Sequence, residues 1–332
     1  MDLGIKLLPQ HNNTKSDPVD VSVVIAHRGP VLGLWATLES CKMDLDSSGL
    51  SYELIVVANG TGERLEEDLA LQKHWLSQSG RLGGFIHTIE PMSPPTARQL
   101  GSEHARGDYL FFFDNHCLVK PGYFVHAVDS MRRHNIDVLH STTRFWMGEQ
   151  SWYEYSMSLE LNFWVKRNYD TPLRDWAYPI ACGGHGGFAV RADFWRRVDG
   201  YWQGFEGYAG EEPYFDFKAW LMGGSVYIDP EVVHHHWSGK RSYNRHYTDD
   251  YFRNLLMAAH IIGGEKWLYT VYDSFVGSTR LIPRDGKPLT PMFDILESAY
   301  KRSLSRRQWL EQRQVRSFDE QLAYFAHNGI RI

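Results

Sequence analysis

Cysteine is scarce in this chain of 332 residues. Cys41, Cys117 and Cys182 are odd in number and show no Cys-x-x-Cys spacing. That excludes a disulfide framework and a zinc knuckle and points to a reducing compartment. Long apolar runs are missing as well. None approaches the ~18 to 20 residues of a membrane span, and Met1 to Asp20 lacks the apolar core of a signal peptide. A soluble, cytoplasmic protein with no membrane partner is expected. No Gly-x-Gly-x-x-Gly follows the first strand-like run and no Gly-x-x-x-x-Gly-Lys-[Ser/Thr] occurs, so a dinucleotide fold and a P-loop have no support. Internal repeats of about 20 to 50 residues are absent. Basic residues are not in excess: 35 stand against 40 acidic ones, a net charge of −5. This excludes a general nucleic-acid coat and leaves room only for a local patch. Aromatic residues, in contrast, reach 14% with 12 Trp, and there are 16 His. The length suits roughly two domains, or one large domain with an appendage.

From Val21 onward, β-branched and aromatic runs alternate with helical patterns. Val21 to Ala26, Leu54 to Val57, Phe85 to Ile89 and Tyr109 to Phe113 read as buried parallel strands. Val31 to Lys42, Leu65 to Ser77, a segment opening at Pro94-Pro95, and Pro121 to His134 read as the helices between them. This order implies an α/β protein with an open sheet flanked by helices, its ligand site at the carboxyl ends of the strands. Past about residue 140 the texture changes. Residues 145–180 are dense in aromatics, Gly183 to Gly187 form a turn into the strand Phe188 to Val190, Glu211 to Leu221 is helical, and Ser225 to Ile228 is a strand. The periodicity predicts helices over 249–262, 291–304 and 305–327. The division expected is an arm over 1–20, a catalytic domain over 21–240 and a helical C-terminal region over 241–332.

Three clusters carry chemistry. Asp114-Asn115-His116 directly follows the Phe-rich strand, and in a tight turn Asp114 and His116 reach one divalent ion. A carboxylate with an imidazole suits Mn²⁺, with phosphate oxygens completing the shell. Glu211 and Glu212 stand at the expected start of a helix, where a carboxylate either balances the helix dipole or acts as a general base. His234-His235-His236 follow a strand; in extended chain His234 and His236 share one face and His235 takes the other.

The order of these pieces resembles the fold-type A nucleotide-sugar glycosyltransferases. It is most similar to family 2 and to the catalytic domain of the polypeptide N-acetylgalactosaminyltransferases. Ala97-Arg98-Gln99-Leu100-Gly101 followed by Ala105 to Asp114 looks like the family run that leads to the metal-binding Asp-x-Asp or Asp-x-His. Gly186 to Val190, Gly200-Tyr201 and Gly207 to Glu212 resemble the second half of that domain, so the likeness covers about 21–240. It implies a Rossmann-like mixed sheet of GT-A type with a helical C-terminal appendage. It also implies a metal-dependent glycosyltransferase using Mn²⁺ or Mg²⁺ and a nucleotide-sugar donor, a UDP-sugar by likeness. By that resemblance His27, Arg28 and Asn59 line the base pocket, and Arg98 and Asn115 lie at the donor. Asp114, His116 and His236 hold the metal, with His234 as the other candidate, and Glu211 and Glu212 are the catalytic carboxylates. Ala58-Asn59 stands where the family usually has Asp-Asp or Asp-Asn, and the stereochemical outcome stays open.

The C-terminal region bears on the acceptor. Six basic residues against Glu311 across 301–316 would place Arg302, Arg306, Trp309, Arg313 and Arg316 on one stripe of a helix. With no membrane anchor or lectin-like tail expected, the resemblance extends to bacterial or phage enzymes in the cytoplasm of a bacterial or infected cell. The acceptor expected is then a hydroxymethylated base in DNA gripped by that stripe, with a glycan or protein acceptor as the alternative. A metal-dependent nucleotidyltransferase or hydrolase and a non-catalytic carbohydrate- or nucleic-acid-binding protein are the competing classes. Ser238 to Tyr243 is a candidate loop for closing over phosphates.

Overall fold

A computed structural model describes residues 6–7, 18–60, 65–79, 82–147, 150–154, 156–159, 165–168, 172, 174–237, 248–276 and 291–332. The strands are β1 (Lys6–Leu7), β2 (Val21–His27), β3 (Tyr52–Ala58), β4 (Leu82–His87), β5 (Tyr109–Asp114), β6 (Cys117–Val119), β7 (Val138–Met147), β8 (Gln150–Glu154), β9 (Ser156–Leu159), β10 (Val165–Asn168), β11 (Tyr178–Pro179), β12 (Gly187–Arg191) and β13 (Val226–Trp237). The helices are α1 (Val31–Ser48), α2 (Leu65–Ser79), α3 (Pro94–Glu103), α4 (Tyr123–His134), α5 (Ala192–Arg197), α6 (Glu211–Leu221), α7 (Asp249–Val276), α8 (Met292–Glu311) and α9 (Phe318–His327).

Among the described residues the main sheet runs β1-β4-β3-β2-β5-β12-β7-β13-β11, with β6 on β13 and β8 on β7. Strands β4, β3, β2 and β5 are parallel. Strand β12 runs antiparallel to both β5 and β7, while β13 is parallel to β7. The expected open mixed sheet flanked by helices is therefore present. Side-chain alternation sorts its core into two layers. Phe111 and Phe113 pack on one face with Leu34, Trp75 and Phe124 from α1, α2 and α4. Phe112 packs on the other with Ala97, Phe194, Phe215, Leu256, Ile295 and Phe325. The C-terminal helices thus share one continuous core with the sheet.

Three expectations differ from the structure. The strand expected to stop near Ile228 or Asp229 runs on to Trp237, because a register shift between Asp229 and Val233 absorbs Pro230 and lets pairing with β7 resume. The helix expected over 305–327 is two helices. α8 ends at Glu311, and α9 begins after Ser317, whose side chain and that of Glu320 form a capping box. The helix expected over 249–262 continues to Val276 but breaks at Gly264, where φ is 76°. Ser238 to Tyr243 lies outside the described residues, as does most of the expected N-terminal arm. No helix of the described residues is long and apolar enough to cross a membrane.

Candidate active site

Strand β5 delivers Asp114 to the carboxyl edge of the sheet, and the chain turns through Asn115 and His116 into β6. β6 pairs antiparallel with β13 so that Cys117 faces His236. That pairing brings residues 120 positions apart together: His116 Nε2 lies 3.1 Å from His236 Nε2, and His236 Nε2 lies 3.2 Å from Asp114 Oδ2. Arg98, from α3, donates Nη2 to Asp114 Oδ1 at 2.7 Å. Burial alone would push the Asp114 carboxyl up. The His236 hydrogen bond and the Arg98 charge outweigh it and hold Asp114 well below the usual carboxylate range.

One carboxylate oxygen and two imidazole nitrogens, all within 4.8 Å of one another, suit a divalent cation. All three residues are partly exposed, which leaves room for ligand oxygens on the open side. Two facing Nε2 atoms share at most one proton, so a cation satisfies their lone pairs better than their mutual contact does. His234 lies on the same face as His236 but is fully buried. Its Nδ1 donates to Ser141 Oγ at 2.7 Å, and Ser141 Oγ donates to Gly187 O at 2.7 Å. Burial and the neighbouring His236 push the His234 imidazole down to about 3. His235 points to the opposite face, edge-on to Trp146 with ring centroids 5.6 Å apart.

The acidic pair opens α6. Glu212 Oε1 accepts the backbone N–H of His185 at 3.1 Å, tying the pair to the Gly183–Gly187 loop. Glu211 is buried, and burial together with the charge of Glu212 pushes its carboxyl up to about 7. Behind the loop lies a buried network that the sequence reading missed. Asp216 Oδ1 accepts from His140 Nε2 at 3.1 Å and from His185 Nε2 at 3.4 Å, Asp216 Oδ2 accepts Gly183 N–H at 2.8 Å, and Tyr201 Oη bonds to His185 Nδ1. His140, His185 and Asp216 come from three separate parts of the chain and match no local motif; only the glycine-rich flanks of His185 marked the region.

The residues expected at the base pocket stand in different environments. Arg28 is exposed. His27 is fully buried and lies between Asp68 Oδ1, 3.2 Å from its Nε2, and Asn115 Nδ2, 2.6 Å from its Nδ1. Both ends of the Asn59 amide bind the Met92 backbone: Nδ2 donates to Met92 O at 2.8 Å and Oδ1 accepts Met92 N–H at 2.7 Å. Asn59 thereby pins the chain between β4 and α3.

The basic stripe forms only in part: α8 ends before Arg313 and Arg316, Arg306 and Arg313 both lie over the Trp309 ring, at 3.8 and 4.8 Å from its centroid, and Arg306 is buried. Arg302 makes a two-pronged pair with Glu206 at 2.8 and 3.0 Å. Arg306, 6% exposed, donates to Asp199 Oδ2 at 2.6 Å and to Tyr214 Oη at 2.8 Å. Arg307 binds Glu311 and the carbonyls of Ile261 and Ile262, just before the break in α7. Arg302 and Arg306, expected to grip a nucleic-acid backbone, are paired within the protein, while Arg313 is exposed and Arg316 lies over the Tyr324 ring.

Residues 22–198 match the family model described as glycosyl transferase family 2. Among curated proteins, polypeptide N-acetylgalactosaminyltransferase 3 of Drosophila melanogaster is 26% identical over 151 residues, 40% of this chain and 22% of that one. Polypeptide N-acetylgalactosaminyltransferase 5 of Caenorhabditis elegans is 25% identical over 150 residues, 40% of this chain and 24% of that one. The match spans about a quarter of the length of these relatives. The fold is similar to that of GalNAc-T7 crystallised with UDP, GalNAc and Mn²⁺: TM-score 0.70, 16% identity, 95% of this chain and 58% of that one.

Proposed function

Since this chain belongs to glycosyl transferase family 2, we propose that it transfers a sugar from a UDP-sugar to the hydroxyl of a glycan or polypeptide acceptor, with Mn²⁺ or Mg²⁺ as cofactor. The observation that carries this reading is the convergence of Asp114, His116 and His236 beside Arg98. The relative whose structure holds UDP and Mn²⁺ supports the donor and the metal, and the names of the curated relatives support a polypeptide acceptor. The DNA acceptor loses its motive, because the arginines of α8 are engaged within the fold.

Asp114, His116 and His236 would hold the cation, which supplies positive charge against the departing diphosphate. Arg98 fixes the Asp114 carboxylate and adds a second positive charge at the same edge. Glu212, held by the His185 N–H, is the group to take the proton of the attacking hydroxyl or to orient the donor sugar. Glu211, its carboxyl pushed up to about 7 by burial and the charge of Glu212, is the other carboxylate of the pair that can take this role. The test is a screen of UDP-sugars with peptide and glycan acceptors, following UDP release and product mass with Mn²⁺ and with chelator. Metal-dependent transfer from a UDP-sugar is expected; absence of turnover and of nucleotide-sugar binding across the panel would overturn the reading.

A further inference from the structure

From α2 to the candidate metal cluster runs an unbroken line of hydrogen-bonded side chains. It starts at Asp68, fully buried, which in its ionised form can only accept. His27 Nε2, 3.2 Å from Asp68 Oδ1, therefore carries a proton. A neutral imidazole protonated there presents a lone pair at Nδ1, and that atom lies 2.6 Å from the Asn115 side-chain amide. The amide must turn its Nδ2 to His27, which leaves Oδ1 facing His116 Nδ1 at 3.0 Å. An amide oxygen accepts, so His116 is protonated at Nδ1. Its Nε2 then bears a lone pair, and Nε2 is the atom that meets His236 and the Asp114 side. Running the line in reverse sets a ring lone pair of His27 against the buried Asp68 carboxylate. With Asp68 as the carboxylate and the Asn115 amide turned this way, no other arrangement of neutral rings pairs every contact.

We propose that Asp68, His27 and Asn115 are a positioning relay that fixes His116 as its Nδ1–H tautomer, so that Nε2 stands ready to accept a divalent cation. The proposal rests on the metal reading above. It assigns Asn115 to the ligand side chain rather than to the donor, and His27 to the same relay rather than to the nucleotide base. The turn that carries the relay is itself held, since Cys117 N–H donates to Thr37 Oγ1 of α1 at 3.0 Å. A metal-bound imidazole is oriented by the partner of its other nitrogen, and losing such a partner weakens metal affinity by about 10- to 100-fold.

The test is Mn²⁺ binding by the full-length chain without nucleotide, read from the loss of the sharp six-line EPR signal of free Mn²⁺. Asn115→Leu keeps the size of the side chain and removes its acceptor, and is expected to weaken binding by about 10- to 100-fold. Asn115→Asp still accepts from His116 Nδ1 and is expected to bind at least as tightly as the native chain. Asp68→Asn, which no longer dictates the direction of the line, is expected to weaken binding less than Asn115→Leu. Nitrogen-15 correlation spectra of the metal-free native protein are expected to show His116 protonated at Nδ1, a readout that needs no variant. The relay is overturned if Asn115→Leu binds within about twofold of native, a change below the 10-fold that loss of such a partner entails, if Asn115→Asp falls as far as Asn115→Leu, or if His116 is protonated at Nε2. A native chain that binds no Mn²⁺ overturns the metal reading itself, which separates the two failures.

Discussion

Asp114 and Arg98 stand on regular elements, whereas Glu211 and Glu212 stand at the end of an irregular one. β5 is hydrogen-bonded on both sides, to β2 and β12, so the position of Asp114 is set by backbone ladders and by the Phe111–Phe113 core. The stretch from Asp199 to Gly210 has no ladder. Asp199, Gly200, Gly207, Ala209 and Gly210 all take positive φ, and the course of the chain is held by side chains from α7 and α8. Asn254, 1% exposed, donates to Glu206 O at 2.5 Å and Tyr208 O at 3.3 Å and accepts Glu206 N–H at 3.3 Å. A Cβ on Gly210 would come within 2.8 Å of Asn254 O. The Asp114 side is therefore built by secondary structure, and the Glu211–Glu212 side by point contacts, several of them from a remote helical region. Single substitutions in that region should reach the chemistry without touching the metal.

The sharpest break is expected from Asp114→Ala, which should lower metal-dependent turnover by about 10³-fold or more, since it removes a ligand and the partner of Arg98 together. Steady-state transfer with and without Mn²⁺ measures it. Asn254→Ala should show the opposite pattern. Unpaired Glu206 and Tyr208 backbone groups should lower stability by about 1–3 kcal/mol, and misplacement of the acidic pair should lower kcat by up to about 10²-fold. Mn²⁺ affinity, measured by titration, should stay unchanged.

How much of this was legible beforehand also differs between the two regions. The parallel strands announced themselves as continuous Val, Ile and Phe runs, and Asp114, Asn115 and His116 followed one of them directly. His236 was found through the resemblance, although Pro230 disguised the strand that carries it. The brace was not legible: Asn254, Asp199 and Glu206 are ordinary surface-type residues whose role depends on contacts 46 to 107 positions away. The inward turn of Arg306 was hidden because charge spacing along a helix does not say which face meets the core. The end of α8 had one signal, the Ser317-x-x-Glu320 capping box, inside a run otherwise free of Gly and Pro.

Glu211 offers a pH test of the acid side. Its carboxyl rises from 4.5 to about 7 on folding, through burial and the charge of Glu212, so the folded chain binds the proton more tightly than the unfolded chain. Stability is then lost as pH rises from the unfolded value through the folded one, and nothing is lost below it. Glu211→Gln is expected to raise Tm relative to native at pH 8 and to leave it unchanged near pH 4, measured by calorimetry. Arg302→Ala should have the smallest effect, at most about 1 kcal/mol and fading with added salt, because its pair with Glu206 is solvent-exposed.

Asp114, His116 and His236 are proposed to form a divalent-metal site that serves a nucleotide diphosphate. A titration of Mn²⁺ by EPR, with and without UDP, on the native chain and on His236→Ala tests it most directly. The native chain is expected to take up Mn²⁺, UDP to tighten that binding, and His236→Ala to weaken it while the fold melts at the native temperature. Native binding that UDP leaves unchanged, or binding that survives His236→Ala intact, would contradict it.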